Sequence, residues 1–301
     1  LVVAPGSGAS HRPSTLRPGT PARVAALTTT KELPDGLGLR FFDAPATLVS
    51  AHSTPDGATL EVRATGEPDG VTAVAGDLLD PSTLAPAVQG VTAIIHLAAV
   101  FRSPDPDMIW RSNLDGTRHL IAAVQAHAPD ARFIMASTSH VYGPDGAHPG
   151  REDDAIHPQA DYPASKVAAE EALRESGLNW SIQRFGFVYG DDDGHLEALP
   201  GLAAKANLHP AMRMSTVHHR DVAAAMKLAL SGALDGRIVN LTDDAPTSLY
   251  ELAALVGATM PSSSEPLANP WHLHVDGSLA RRLGFTPSVR TVYQAAEQRW
   301  L

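Results

Sequence analysis

The sequence contains no cysteine. That removes disulfides, thiolate nucleophiles and Cys-ligated metals from its chemistry, and nothing points to an oxidising compartment. No apolar run approaches the ~18 residues that a membrane span requires. The opening LVVAPGSG has neither the basic flank nor the apolar length of a signal peptide, so the expected location is the cytoplasm. Basic residues are in the minority, 23 Lys and Arg against 33 Asp and Glu, for a formal charge of −10. This balance argues against nucleic acid or an anionic membrane as a partner, and no run of like charge suggests a tail. The G-x-S-x-G turn of an α/β serine hydrolase is missing as well. Fourteen histidines invite a metal reading. However, His218 and His219 are adjacent, so their side chains diverge, and His272 and His274 share a face only in a strand. No third ligand stands at a recognisable spacing, and no metal site is expected.

What is present organises around residues 138–166, TSHVYGPDGAHPGREDDAIHPQADYPASK. Tyr162 and Lys166 lie four apart, after a hydroxyl-rich strand end, Ser137-Thr138-Ser139. With Pro163 in the first turn of a helix, where its missing N–H costs nothing, residues 162 and 166 stack on one face. A free Tyr titrates near pH ~10 and is a poor acid or base at neutral pH unless a cation stabilises the phenolate. Lys166 is placed to be that cation. A hydroxyl such as that of Thr138 would hold a substrate oxygen while Tyr162 gives or takes its proton. The plainer alternative is a Tyr and a Lys on a solvated helix face. A chain of 301 residues with 44% hydrophobic content can bury a full core.

Together with HLAA at 96–99, STSHVYG at 137–143 and RFGFVYG at 184–190, this stretch resembles the extended short-chain dehydrogenase/reductase family, the NAD(P)-dependent epimerase/dehydratases. The resemblance runs in order from about Val71 to the C-terminus. It implies a doubly wound, Rossmann-like α/β fold with a parallel sheet and a small discontinuous substrate lobe, built mainly from 186–217 and 245–301 of a single 1–301 unit. In that scheme Tyr162 is the general acid/base, Lys166 lowers its pKa and holds the cofactor ribose, Thr138 binds the substrate oxygen and Asn113 helps to order the lysine. Asp77, with Leu78 beside it, lies by the adenine ring, and Ala98 and Ala99 keep the backbone open to the cofactor. The implied function is NAD(P)-dependent oxidation, reduction or epimerisation at a secondary alcohol or ketone of a small molecule. Nucleotide-sugar epimerase/dehydratase chemistry and a non-catalytic binding protein are the alternatives, and a homodimer is compatible with either.

The first 70 residues fit that pattern least. LVVA reads as a strand and PGSGASH follows where a phosphate loop belongs, but the family's three glycine positions fall on Pro5, Gly8 and His11. Gly6 and Gly8 remain as the backbone donors for a pyrophosphate. The helix that should follow is broken up by Pro13, Pro18, Gly19 and Pro21. RVAAL (23–27) reads as the second strand, after which Lys31, with no acid at the strand end, leans toward NADP over NAD. From 32 to 70, repeated PDG turns around ATLVSA and ATLEVR suggest an inserted hairpin or flap.

The remainder is regular. VTAVAGDLLD, VTAIIHLAAV and ARFIMAST read as strands, with His96 packed rather than a ligand. A helix is expected over 113–127 with Leu114, Thr117, Leu120, Ile121 and Val124 on one stripe. The helix through Lys166 should stop at Gly177, with Glu170 and Arg174 pairing on its exposed side. Asp221 is expected to cap a helix, Thr247 or Ser248 to open another, and Glu152, Asp153 and Asp154 to form a solvated acidic loop.

Overall fold

The computed structural model describes residues 2–5, 23–28, 46–54 and 57–64 and, from residue 72 onward, every residue except 102, 104 and 192. Gly6, Gly8, His11 and Lys31 therefore lie outside the described residues. In chain order the strands are β1 Val2–Pro5, β2 Arg23–Thr28, β3 Ala46–Thr54, β4 Gly57–Ala64, β5 Thr72–Asp77, β6 Val91–His96, β7 Arg132–Thr138, β8 Asn179–Phe185, β9 Phe187–Tyr189, β10 Arg213–Met214, β11 Thr216–His218, β12 Arg237–Leu241 and β13 Thr247–Ser248. The helices are α1 Ala85–Val88, α2 Pro106–Trp110, α3 Gly116–His127, α4 Asp161–Arg174, α5 His195–Lys205, α6 His219–Leu230, α7 Leu249–Leu255, α8 Ser278–Arg282 and α9 Val292–Gln298. A five-residue π turn, Arg111–Asp115, joins α2 to α3. Among the described residues no helix is long and apolar enough to cross a membrane.

The main sheet has seven strands in the order β12-β8-β7-β6-β1-β2-β5. β6 pairs with β7, and β2 with β5, in parallel. The expected parallel Rossmann-like sheet is present with one correction, because β1 runs antiparallel to both β2 and β6. Parallel neighbours need a crossover, usually a helix, and the prolines between β1 and β2 leave the sequence without a helix-forming stretch for one. β3 and β4 pair as an antiparallel hairpin, as the alternation inside 32–70 suggested.

By internal contacts the chain divides into two compact units. The first comprises 1–136, 160–182 and 229–237. Its core is the continuous apolar run of two central strands, Ile94 and Ile95 of β6 with Phe133, Ile134 and Met135 of β7, together with the stripe of Leu120, Ile121 and Val124 on α3 and Leu173 on α4. Each such side chain contributes roughly 1.5–3 kcal/mol by leaving water. His96 is packed as expected: its Nε2 lies 2.9 Å from Thr117 Oγ1, and burial depresses its pKa well below the usual value, which keeps it neutral. Arg132 closes one end of this unit through a paired contact with Asp235, 2.6 and 2.9 Å, and its Nη1 donates to the Leu230 carbonyl.

The second unit comprises 137–159, 183–228 and 238–301. Its core gathers Tyr189, Leu196, Leu199, Met214, Leu249, Leu252 and Val292. Ser248 opens α7 with a full capping box: its hydroxyl accepts from Glu251 N, and the Glu251 carboxylate accepts from Ser248 N. Asp221 does not cap its own helix. It is buried in the first turn of α6 and accepts from Ser288 N, Ser288 Oγ and Val289 N, which fastens the segment before α9 to α6.

Candidate active site

In the first unit, helix α4 carries both central residues, with Pro163 in the first turn where an N–H has no intrahelical partner. The helix runs to Arg174, and Gly177 then takes a left-handed conformation at φ 75°, as its place after the helix suggested. Asn113 fixes the start of α4. Its Oδ1 accepts from Val100 N at 2.7 Å, and its Nδ2 donates to Val100 O and to Ser165 Oγ, both at 3.0 Å. Ser165 Oγ in turn donates to the Tyr162 carbonyl at 2.8 Å. Asn113 thus acts through the neighbour of Lys166 and through the loop after β6.

It does so from the π turn. The expected helix over 113–127 is α-helical only from Gly116, and a π turn recurs at functional sites because the extra residue re-aims side chains from an otherwise regular helix.

Lys166 is 1% exposed, and burial lowers its pKa to about 8, with the Glu170 carboxylate acting in the opposite direction. Glu170 itself is buried at 2% exposure, which corrects the expectation of an exposed pair with Arg174. One turn beyond Lys166 on the same buried face, its charge belongs to the lysine's surroundings. Burial also pushes the Tyr162 phenol up to about 12, and Lys166 is not among the causes. The ring meets Phe101 edge-on, with centroids 4.6 Å apart. Desolvation therefore favours the neutral form of both groups, and a phenolate at neutral pH requires further positive charge beside it.

Beyond His96 the chain leaves regular structure, Leu97 and Phe101 are exposed at 44% and 43%, and Ala98 and Ala99 between them present backbone without a bulky side chain. At the end of β5, Asp77 Oδ1 accepts from Leu79 N at 2.8 Å. The Leu78 side chain is fully buried and its carbonyl lies 2.7 Å from His119 Nδ1, so this side chain belongs to the core.

Thr138 belongs to the second unit. It is buried at the end of β7, and its Oγ1 accepts from His140 N at 3.1 Å, capping a short 3-10 turn. The same unit holds a network not anticipated from sequence. Tyr142 donates to Asn240 Oδ1 at 2.8 Å and accepts from Arg184 Nη1 at 3.1 Å, while Glu152 Oε1 accepts from Asn240 N at 2.8 Å. Glu152 is half-buried, with its pKa raised chiefly by burial, so the acidic stretch 152–154 is only partly the solvated loop expected. The VYG and RF motifs that carry Tyr142 and Arg184 were the available signal. Adjacent to this network is a cavity of about 270 Å³ lined by Ser139, Tyr142, His148, His157, Trp271 and His274 among others.

Residues 46–242 match the model of the NAD dependent epimerase/dehydratase family. The chain is 31% identical over 160 residues to a ceramide reductase of Caulobacter vibrioides, a match that covers 52% of this chain and 46% of that protein. It is 28% identical over 314 residues to dTDP-6-deoxy-L-talose 4-dehydrogenase (NAD(P)(+)) of Kitasatospora kifunensis, covering 93% of this chain and 95% of the relative. Among solved structures, a short-chain dehydrogenase/reductase superfamily protein of Agrobacterium tumefaciens with bound NAD superposes with a TM-score of 0.62 at 26% identity, over 77% of this chain and 87% of that one. The chain spans about half the length of the Caulobacter relative.

Proposed function

Because the chain belongs to the NAD dependent epimerase/dehydratase family, a family of nicotinamide-dependent enzymes, we propose that it interconverts a secondary alcohol and a ketone on a small molecule. The observation that carries this reading is the first turn of α4, where Tyr162 and a buried Lys166 are held by the Asn113 to Ser165 hydrogen bonds. A bound nicotinamide supplies the hydride acceptor or donor. Tyr162 Oη takes the hydroxyl proton in oxidation and returns it in reduction. The Lys166 ammonium, whose charge Glu170 favours against burial, would hydrogen-bond a ribose hydroxyl, and with a bound oxidised nicotinamide it would supply the positive charge that the Tyr162 phenolate requires. Thr138 Oγ1 holds the substrate oxygen. Leu97, Ala98, Ala99 and Phe101 would give the nicotinamide ring an apolar seat, and Asp77 would hold the adenine end.

From Lys31, without an acid at the end of β2, we expect NADPH to bind more tightly than NADH, with Gly6 and Gly8 donating to its phosphates. Fluorescence titration with both dinucleotides tests this. Saturable binding with NADPH ahead supports the reading, and no saturable binding of either overturns it.

The substrate class we favour is a nucleotide-linked deoxysugar. The support is the Kitasatospora dehydrogenase, whose match extends over nearly the whole of both chains. Incubation with NADP and a panel of dTDP-deoxysugars, read by absorbance of the reduced cofactor, separates this class from simple alcohols.

A further inference from the structure

We propose that Asp193, His195 and His219 form a divalent-metal site suited to Zn²⁺, separate from the nicotinamide chemistry. Their ligand atoms all lie within 4.8 Å of one another, the only group of its kind among the described residues. Asp193 Oδ2 stands 2.7 Å from His219 Nε2 and 3.0 Å from His195 Nδ1, so two imidazoles converge on one carboxylate oxygen. Zinc bonds of ~2.0–2.1 Å in a tetrahedron set the donors roughly 3.3 Å apart, so the two spacings to Asp193 Oδ2, 2.7 and 3.0 Å, need to open by about 0.6 and about 0.3 Å.

Local contacts orient the donors. Asp193 Oδ1 accepts from His195 N at 2.9 Å, which orients the carboxylate. His195 and His219 are the first residues of α5 and α6, and the His195 ring packs against Phe187 with centroids 6.1 Å apart. Chemistry and access agree with the geometry. Two neutral imidazoles and one carboxylate are a nitrogen and oxygen set that zinc accepts, and they offset one of its two charges. The histidine side chains are 46% and 38% exposed, so an ion can enter and keep water in its remaining position. Arg220, the nearby cation, is neutralised by Asp191 at 3.0 Å. Bound there, zinc would tie the loop before α5 to the start of α6.

The test uses the full chain stripped with a chelator. Zinc is added, the protein is gel-filtered and its metal is counted by elemental analysis, and affinity is read by competition with a chromophoric indicator. One retained equivalent is expected. Asp193→Asn can keep the acceptor for His195 N but replaces the second carboxylate oxygen with an amide nitrogen that cannot ligate, and it should weaken binding by at least ~10-fold, as should His219→Gln. Zinc should raise the melting temperature of the parent protein and not that of Asp193→Asn, with circular dichroism confirming that both are folded. A His148→Ala, His274→Ala double variant should bind zinc like the parent. No retained zinc, parent-like affinity in Asp193→Asn and His219→Gln, or loss confined to the His148 and His274 variant would each overturn the assignment.

Discussion

Two tyrosines in two parts of the molecule, Tyr142 and Tyr162, carry the same upward pKa shift, to about 12, for the same first reason, burial. Their surroundings differ. The Tyr142 phenol donates to Asn240 and accepts from Arg184, whose guanidinium also lies 5.3 Å from the ring centroid. Asn240 passes the contact on to Gly150 O, Asp276 O and Glu152. Gly150 leaves no room for a side chain, since a Cβ there would come within 2.7 Å of the Tyr142 ring. For Tyr162, by contrast, no hydrogen bond to the phenol is described, and burial alone shifts it. Titration behaviour does not separate the two phenols. Among the described residues their hydrogen bonding does, since Asn240 and Arg184 engage the Tyr142 hydroxyl and none engages that of Tyr162.

Exchanging each ring for Phe tests that contrast. Tyr162→Phe should lower turnover by ~10²-fold or more while dinucleotide binding survives, because the ring stays and only the titrating group goes. Near-normal turnover in a steady-state assay would move the proton transfer to another group or to water. Asn113→Ala should come next, costing about 2–3 kcal/mol in urea denaturation, because it strands the buried Val100 N–H and carbonyl together with Ser165. Rescue by Asn113→Asp would be partial, since the carboxylate accepts from Val100 but cannot donate to its carbonyl. Tyr142→Phe should cost ~1–3 kcal/mol and leave turnover within a few-fold of the parent. A larger fall in turnover than in stability would erase the distinction between the two phenols.

Much of this was legible in the residues themselves. The apolar runs of β6 and β7 announced buried strands, the stripe on α3 announced its inner face, and Pro163 and Gly177 bracketed α4. Tyr162, Lys166 and Asn113 stood out through their motifs, and the network around Asn113 supplies a physical reason for that position. Glu170 was misjudged because spacing shows that residues 170 and 174 can meet, not which face of the helix is covered. Asp221 was taken for a local cap because its partners, Ser288 and Val289, are remote in sequence. The same remoteness hid Asp193 and His195 from His219. The reversal of β1 could not be read at all, since a four-residue apolar run carries no information about its direction.

The smallest predicted effect concerns a buried acid in the same unit as Tyr142. Burial raises the Asp243 carboxyl to about 7, while hydrogen bonds from Thr216 Oγ1 and Ala245 N pull the other way. Its folded pKa lies above the unfolded value of 3.8, so between those values the native protein binds more protons than the unfolded chain. Stability should therefore be highest on the acid side of this window, fall as pH rises through it, and level off above it. The part of this loss between about pH 6 and about pH 8 is on the order of 1.4 kcal/mol. Asp243→Asn cannot titrate, so urea denaturation at a series of pH values should show the parent losing that increment and the variant keeping a flatter profile. Parallel profiles would mean that the Thr216 and Ala245 contacts offset desolvation at Asp243, unlike the Tyr142 phenol, where burial prevails over the hydrogen bonds with its partners.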